Sequence, residues 1–190
     1  MGNFLDKKWL SLAAGGASVL GLAALARRFK LLDKIDGRNE LSTTLSVDVH
    51  KDRAEVYQYW RKLENLPVFM KYLDDVTVKN GISEWTTKDL TGVGKISWKA
   101  EIVHEEENRL IVWSSLPGSE IHTSGKVMFE DLPNGKGTKI TATFSYGKSE
   151  KDLANTYAKL LKIVNVREMK ADMRRFKKIM ETGALPEISG

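Results

Sequence analysis

Cysteine is absent from the chain, which removes disulfide scaffolds, thiol nucleophiles, iron–sulfur clusters and Cys-ligated zinc together. A strong charge of one sign is missing from most of the sequence as well. Residues 41–190 carry 23 Lys and Arg against 21 Asp and Glu, a net of +2, and residues 1–40 carry seven against four, a net of +3. That balance argues against nucleic-acid binding, which calls for a concentrated basic face with interleaved aromatics. Metal-ligand spacings are lacking too. His50, His104 and His122 fall on three different predicted strands, and none belongs to an H-E-x-x-H pattern. His104 precedes Glu105, Glu106 and Glu107, a run that reads as a solvated hairpin turn rather than a metal site. The pieces TGVGKIS and NGKGTK complete no phosphate loop and lead into no helix, so both read as turns. Neither a metal nor a cofactor is expected.

What is present suits one globular domain of about 150 residues with an appendage. Residues 1–30 form the appendage. Within them residues 9–26, WLSLAAGGASVLGLAALA, hold no charged side chain and are bracketed by Lys7, Lys8, Arg27, Arg28 and Lys30. Eighteen uncharged residues are close to the minimum for a spanning helix. Three readings stand side by side: a membrane anchor, a signal peptide cleaved after Ala24-Leu25-Ala26, and a buried apolar helix. For an anchor, the excess of Lys and Arg after the segment puts the domain on the cytoplasmic side; for a signal peptide the domain is exported. Small residues at Ala13, Ala17 and Gly21 offer a stripe through which two copies could associate.

Residues 31–40 read as a charged linker, 41–184 as the domain and 185–190 as a tail. Leu45, Val47 and Val49 alternate with polar residues as in a half-buried strand. Asp52, with Glu55 three residues on, marks a helix start. Pro67 then interrupts the apolar run LENLPVFMKYL, and Asn65 is the expected cap of a second short helix with Pro67 in its first turn. Six strands follow the two helices in meander order, separated by turn clusters, with Asn80-Gly81 as a type I′ hairpin signal between the first two of them. A long helical stretch over 149–182 opens at Ser149 with Asp152 and closes at Gly183. Leu153, Tyr157, Leu160 and Val164 form one apolar stripe. Val166, Met169, Met173, Phe176 and Met180 form another with a shifted phase, so the helix kinks or slips near Asn165.

The blocks LENLP, FMKYLDDV, SWKAEIV, IVWSS, GKVMFEDLPNGKGT and DMRRFKKIMETG, in this order over residues 41–184, resemble the START-like superfamily. The likeness is to its polyketide cyclase/dehydrase and coenzyme-Q-binding branch, found in bacteria. That resemblance implies an α+β helix-grip fold: a curved seven-stranded antiparallel sheet wrapped around a long C-terminal helix, with two short helices after strand 1. It also implies an apolar cavity between sheet and helix and a hydrophobic ligand such as a quinone, isoprenoid or other lipid. No reaction follows from it, since fold does not fix function.

Strand alternation together with that fold nominates the cavity residues Trp98, Ile102, Val127, Phe129, Ile140, Phe144 and Tyr146, with Val164, Met169 and Met173 from the long helix. Trp113 joins them with its orientation open, because both faces of its strand are apolar. The same residues suit an ordinary packed core. Leu66, Phe69 and Met70 are the candidate cavity mouth. A cyclase or dehydratase acting in the same cavity is the enzymatic alternative, with His122 or Tyr146 as the proton-moving group. A third reading is an interaction protein whose interior is filled by side chains. Arg167, Lys170, Arg174, Lys177 and Lys178 share a flank of the last helix that reads either as solvated or as a contact for anionic headgroups.

Overall fold

The structure, a computed structural model, describes residues 41–89, 92, 94–119, 121–133, 135–148 and 156–184. Expectations for residues 1–40, for Ser149 with Asp152 and for the tail lie outside the described residues. Strand β1 (Leu41–Val49) leads into helix α1 (Arg53–Arg61), a 3-10 turn (Leu63–Asn65) and the four-residue helix α2 (Leu66–Phe69). Strands β2 (Leu73–Lys79), β3 (Ile82–Thr87), β4 (Ser97–Glu106), β5 (Leu110–Ser115), β6 (Ile121–Asp131) and β7 (Thr138–Lys148) follow. Helices α3 (Thr156–Ile163) and α4 (Val166–Thr182) come last.

All seven strands pair antiparallel in the order β1-β7-β6-β5-β4-β3-β2. Strands β1 and β2 are neighbours in the chain but opposite edges of the sheet, so the segment between them must cross its whole width. The α1–α2 segment makes that crossing. Asn80 and Gly81 both take positive φ (53° and 79°), as a two-residue I′ turn requires, and Lys79 faces Ile82 across it. This is the α+β helix-grip architecture.

Two local expectations change. Asn65 makes no side-chain cap; it sits in the 3-10 turn that runs directly into α2, and its Nδ2 donates to the Tyr59 carbonyl at 2.8 Å. The long C-terminal helix is two helices. Asn165 is extended (φ −136°, ψ 155°), and its side chain accepts from Glu168 N–H at 3.0 Å, capping α4 afresh. The change of phase in the apolar stripe is therefore a clean break. Val166, counted in the second stripe, is exposed instead, because it lies in the first turn of the new helix. Gly183 closes α4 in the left-handed region (φ 67°).

Aromatic rings join the helices to one another and to the sheet. Trp60 of α1 meets Phe69 of α2 at 5.3 Å, Phe176 of α4 at 5.1 Å and Phe129 of β6 at 6.4 Å between centroids, and Phe69 meets Phe176 at 4.9 Å. All four are almost completely buried. At its far end α4 is tied to the sheet edge: Lys177 Nζ donates to the Asp48 carbonyl (2.6 Å), and Glu181 accepts from the His50 backbone N–H (2.8 Å). Replacing Phe176 by Ala should cost about 3–5 kcal/mol of unfolding free energy, since its ring touches two helices at once. Denaturant titration checks this, and a loss below about 1 kcal/mol would mean that the hub can be dispensed with.

Candidate functional site

A cavity opens between the concave face of the sheet and the α1–α2 segment. It measures about 30 Å³, room for about two water molecules. The surrounding cleft, counted with its opening to solvent, reaches about 540 Å³. Strand register explains its walls. Trp85 and Trp98 are direct partners on β3 and β4, and their rings stack 5.8 Å apart and 14° from parallel. The Trp85 indole N–H is spent on Ser83 Oγ at 2.8 Å, which in turn donates to the Ala100 carbonyl at 2.9 Å, so this wall presents an apolar face.

The adjoining wall depends on a missing side chain. Gly125 of β6 lies opposite Trp113 on one side and Phe144 on the other. With no side chain between them, Trp113 reaches Phe144 edge-on at 5.7 Å. A Cβ at position 125 would stand 2.3 Å from Trp113 Cζ2 and 2.5 Å from the Thr143 carbonyl oxygen. Gly125 thus sets the shape of the cavity, and it carries no signal in the sequence beyond being a glycine within a strand.

One end of the cavity is polar. Tyr146 OH and Tyr72 OH lie 3.4 Å apart, fully buried. Burial pushes the Tyr146 phenol up to about 12 and the Tyr72 phenol well above its ordinary value, so both remain protonated donors. Thr123 faces Tyr146 across the β6–β7 ladder and therefore shares its inward face. Its Oγ1 is buried without a hydrogen-bond partner in the protein. Thr123 and Ser124 are the lining's remaining polar residues.

Leu63, Leu66 and Met70 close the cavity from the helical side. This segment is fastened to α4 by one polar staple. Asp172 accepts from Lys71 N–H at 3.0 Å and from the Arg175 guanidinium, and Arg175 Nε donates to the Phe69 carbonyl at 3.0 Å. Tyr72, Thr123, Asp172 and Arg175 were not legible as site residues. Tyr72 reads as part of a helix end, and Asp172 as one more charge on an amphipathic helix.

The structure brings Trp98, Ile102, Trp113, Phe144 and Tyr146 together on the lining, and Leu66 and Met70, nominated for the mouth, are lining residues as well. Trp113 points inward, which settles the orientation that alternation left open. Val127, Phe129, Ile140, Val164, Met169 and Met173 are buried elsewhere in the core and do not line it; alternation finds the inward face but not where along it the packing stops. Phe69 belongs to the aromatic hub rather than the mouth. His122, next to Thr123 on its strand, is not among the residues that line the cavity. The His104 to Glu107 run is more than a solvated turn: Glu105 accepts from Tyr57 OH and from Arg61 Nε, the latter at 2.6 Å, tying β4 to α1. Among the described residues no cluster of three or more His, Cys, Asp or Glu could hold a metal, and no helix is long and apolar enough to cross a membrane.

Residues 49–174 match a family profile described as polyketide cyclase / dehydrase and lipid transport. A crystal structure from Deinococcus radiodurans is similar with a TM-score of 0.62 at 29% identity, over 76% of this chain and 99% of that one. A Thermus thermophilus structure is similar with 0.54 at 18%, over 73% and 95%. The Zhui aromatase/cyclase from a Streptomyces species follows with 0.56 at 11%, over 78% and 100%, a likeness of fold alone. No curated protein matches the sequence.

The staple has a measurable pH signature. Burial pushes the Asp172 carboxyl up from 3.8 to about 6, against the opposing pull of the Lys71 amide and Arg175. The folded state then binds this proton more tightly than the unfolded chain, so the group's stabilisation is full below about pH 4 and is lost as pH rises to about 6. Glu181 runs the other way: hydrogen bonds from Lys177 and His50 hold it at about 2 against burial, so its contribution is lost as pH falls. Asp172→Asn isolates the first effect. The stability of the native protein relative to this variant should fall by up to about 3 kcal/mol between pH 4 and 6.5, measured by denaturant titration at each pH. A difference flat with pH would show that Asp172 titrates normally.

Proposed function

The chain belongs to the polyketide cyclase / dehydrase and lipid transport family, and from that premise we propose that it binds a hydrophobic small molecule, such as a quinone, isoprenoid or other lipid, in the cavity under α1 and α2. The observation that carries this reading is the lining. It contains four tryptophans, a phenylalanine, two tyrosines and no charged side chain. Such a surface gains from contact with apolar groups at about 25 cal/mol per Å² buried, and its few hydroxyls can fix an orientation.

A cavity of about 30 Å³ admits no such ligand without movement of its walls. Leu63, Leu66 and Met70 are the side chains to move, since they belong to the short helical segment rather than to the hydrogen-bonded sheet. Residues 9–26 would hold the domain at a bilayer on its cytoplasmic side. The exposed cations Arg167, Lys170, Arg174 and Lys178 of α4 suit anionic headgroups there, whereas Lys177 is engaged by Asp48 and Glu181. A cyclase or dehydratase reaction in the same cavity is the second reading. It is favoured by the buried phenols of Tyr72 and Tyr146, which could donate a hydrogen bond to an enolate but are poor bases.

Four of the five tryptophans line the cavity, so intrinsic fluorescence reports entry directly. Titration with decylubiquinone, a quenching quinone, should remove most of the emission. Native mass spectrometry of protein taken from its membrane should show a co-purifying lipophilic molecule. Unchanged emission together with an empty spectrum would overturn the reading in favour of a domain filled by its own side chains. Deleting residues 1–30 should move the protein from the membrane fraction to the supernatant; no change in partition would refute the anchor.

A further inference from the structure

Among the residues lining the cavity, Thr123 has a buried hydroxyl for which the fold supplies no partner. Its backbone is satisfied, because Thr123 N–H donates to Ser115 Oγ at 3.2 Å. Beside it the two phenols make a single contact at 3.4 Å. A phenol has one hydrogen to donate, so whichever tyrosine donates to the other, one O–H remains unspent in that pair. Two hydroxyl donors, the Thr123 O–H and the spare phenol O–H, therefore face the same polar end of an otherwise apolar space. A buried donor left without an acceptor is destabilising. Such a feature belongs where something else supplies the acceptor.

We propose that this end of the cavity is a subsite for a neutral acceptor oxygen, a ketone or quinone carbonyl at the tip of an apolar, flat ligand. The proposal rests on the reading that the cavity takes a hydrophobic ligand, and it names the chemistry of that ligand's inner end. Neutrality follows from the lining, which offers no Lys, Arg or His to balance a charge; a carboxylate or phosphate brought here would be desolvated without a counter-ion. The Arg175 guanidinium, the cation of the staple, is committed to Asp172 and the Phe69 carbonyl. A flat ligand suits the aromatic walls, which are built from Trp85 stacked on Trp98 and Trp113 packed edge-on to Phe144. Thr123 and Tyr146 are direct partners across the β6–β7 ladder, and a carbonyl oxygen has two lone pairs with which to accept from both.

The test uses a matched pair of probes, 2-methyl-1,4-naphthoquinone and 2-methylnaphthalene, which share a ring system and differ in the oxygens. Binding is followed by tryptophan emission and confirmed by calorimetry. The native protein should bind the quinone at least about tenfold more tightly than the hydrocarbon, a difference expected for one or two neutral hydrogen bonds. Thr123→Val keeps the shape and removes the hydroxyl, and Tyr146→Phe removes one phenol. Each should weaken quinone binding by about five- to tenfold and leave hydrocarbon binding unchanged. Thr123→Val should also melt no lower than the native protein, since its hydroxyl has no hydrogen bond in the fold to lose, so a loss of binding cannot be ascribed to misfolding. Equal affinity for the two probes, or variants that weaken both alike, would overturn the subsite while leaving the apolar cavity intact. Binding of neither probe would overturn both.

Discussion

The contact between Trp60, Phe69 and Phe176 is the constraint on which the rest of this domain depends. A sheet whose chain-adjacent strands β1 and β2 lie at opposite edges requires a segment that crosses it, and that segment must be anchored or the sheet has no lid. The three rings fasten α1, α2 and α4 at one point, and Phe129 carries the cluster down to β6. Trp60 has a second role. Its ring is also part of the cavity wall, so the element that stabilises the fold delimits the site.

This arrangement divides one continuous apolar interior into two functional parts. Near the hub, aromatic side chains fill the space as close-packed interiors demand. Away from it the filling becomes incomplete, and Gly125 shapes the wall there by leaving room for the Trp113 ring to lie over its position and reach Phe144. The residual space is small, and its polar end is made of hydroxyls rather than ions. Buried charge is kept a step away, in the Asp172–Arg175 pair, where it holds backbone groups of the crossing segment instead of touching the cavity.

Much of the architecture was legible in the sequence. Period-2 alternation, the Asn80-Gly81 turn and the glycine-closed final helix located the seven strands and the grip helix, and the shifted apolar phase placed the break beside Asn165. Five of the nominated lining residues sit together because they occupy inward positions of neighbouring strands. The others failed for one reason: alternation gives a face, while the boundary between packed core and open cavity depends on which side chains from α1, α2 and α4 lie above each position. That information is tertiary. His122 shows the complementary error, a chemically attractive residue that the cavity lining leaves out. Tyr72 was missed because it lies between elements, where no periodicity speaks for it.

Entry of any ligand must break something, and the possibilities are unequal. Separating two strands of the sheet would break a row of backbone hydrogen bonds at once, and lifting α4 would take apart the aromatic hub and its ties to β1. Moving the side chains of Leu63, Leu66 and Met70, with Phe69 left in the hub, demands less. Their stretch is a 3-10 turn and a four-residue helix, its last residues are held to α4 by the Asp172–Arg175 staple, and these three apolar side chains already border the cavity. Short segments with few internal hydrogen bonds open at lower free energy than core strands. Pro67 supports the same conclusion, because in the first turn of α2 its ring keeps that helix from running back as one continuous helix toward α1. The proline that first looked like an interruption therefore keeps the covering segment short, and a short cover can shift its cavity-facing side chains while Phe69 stays in the hub.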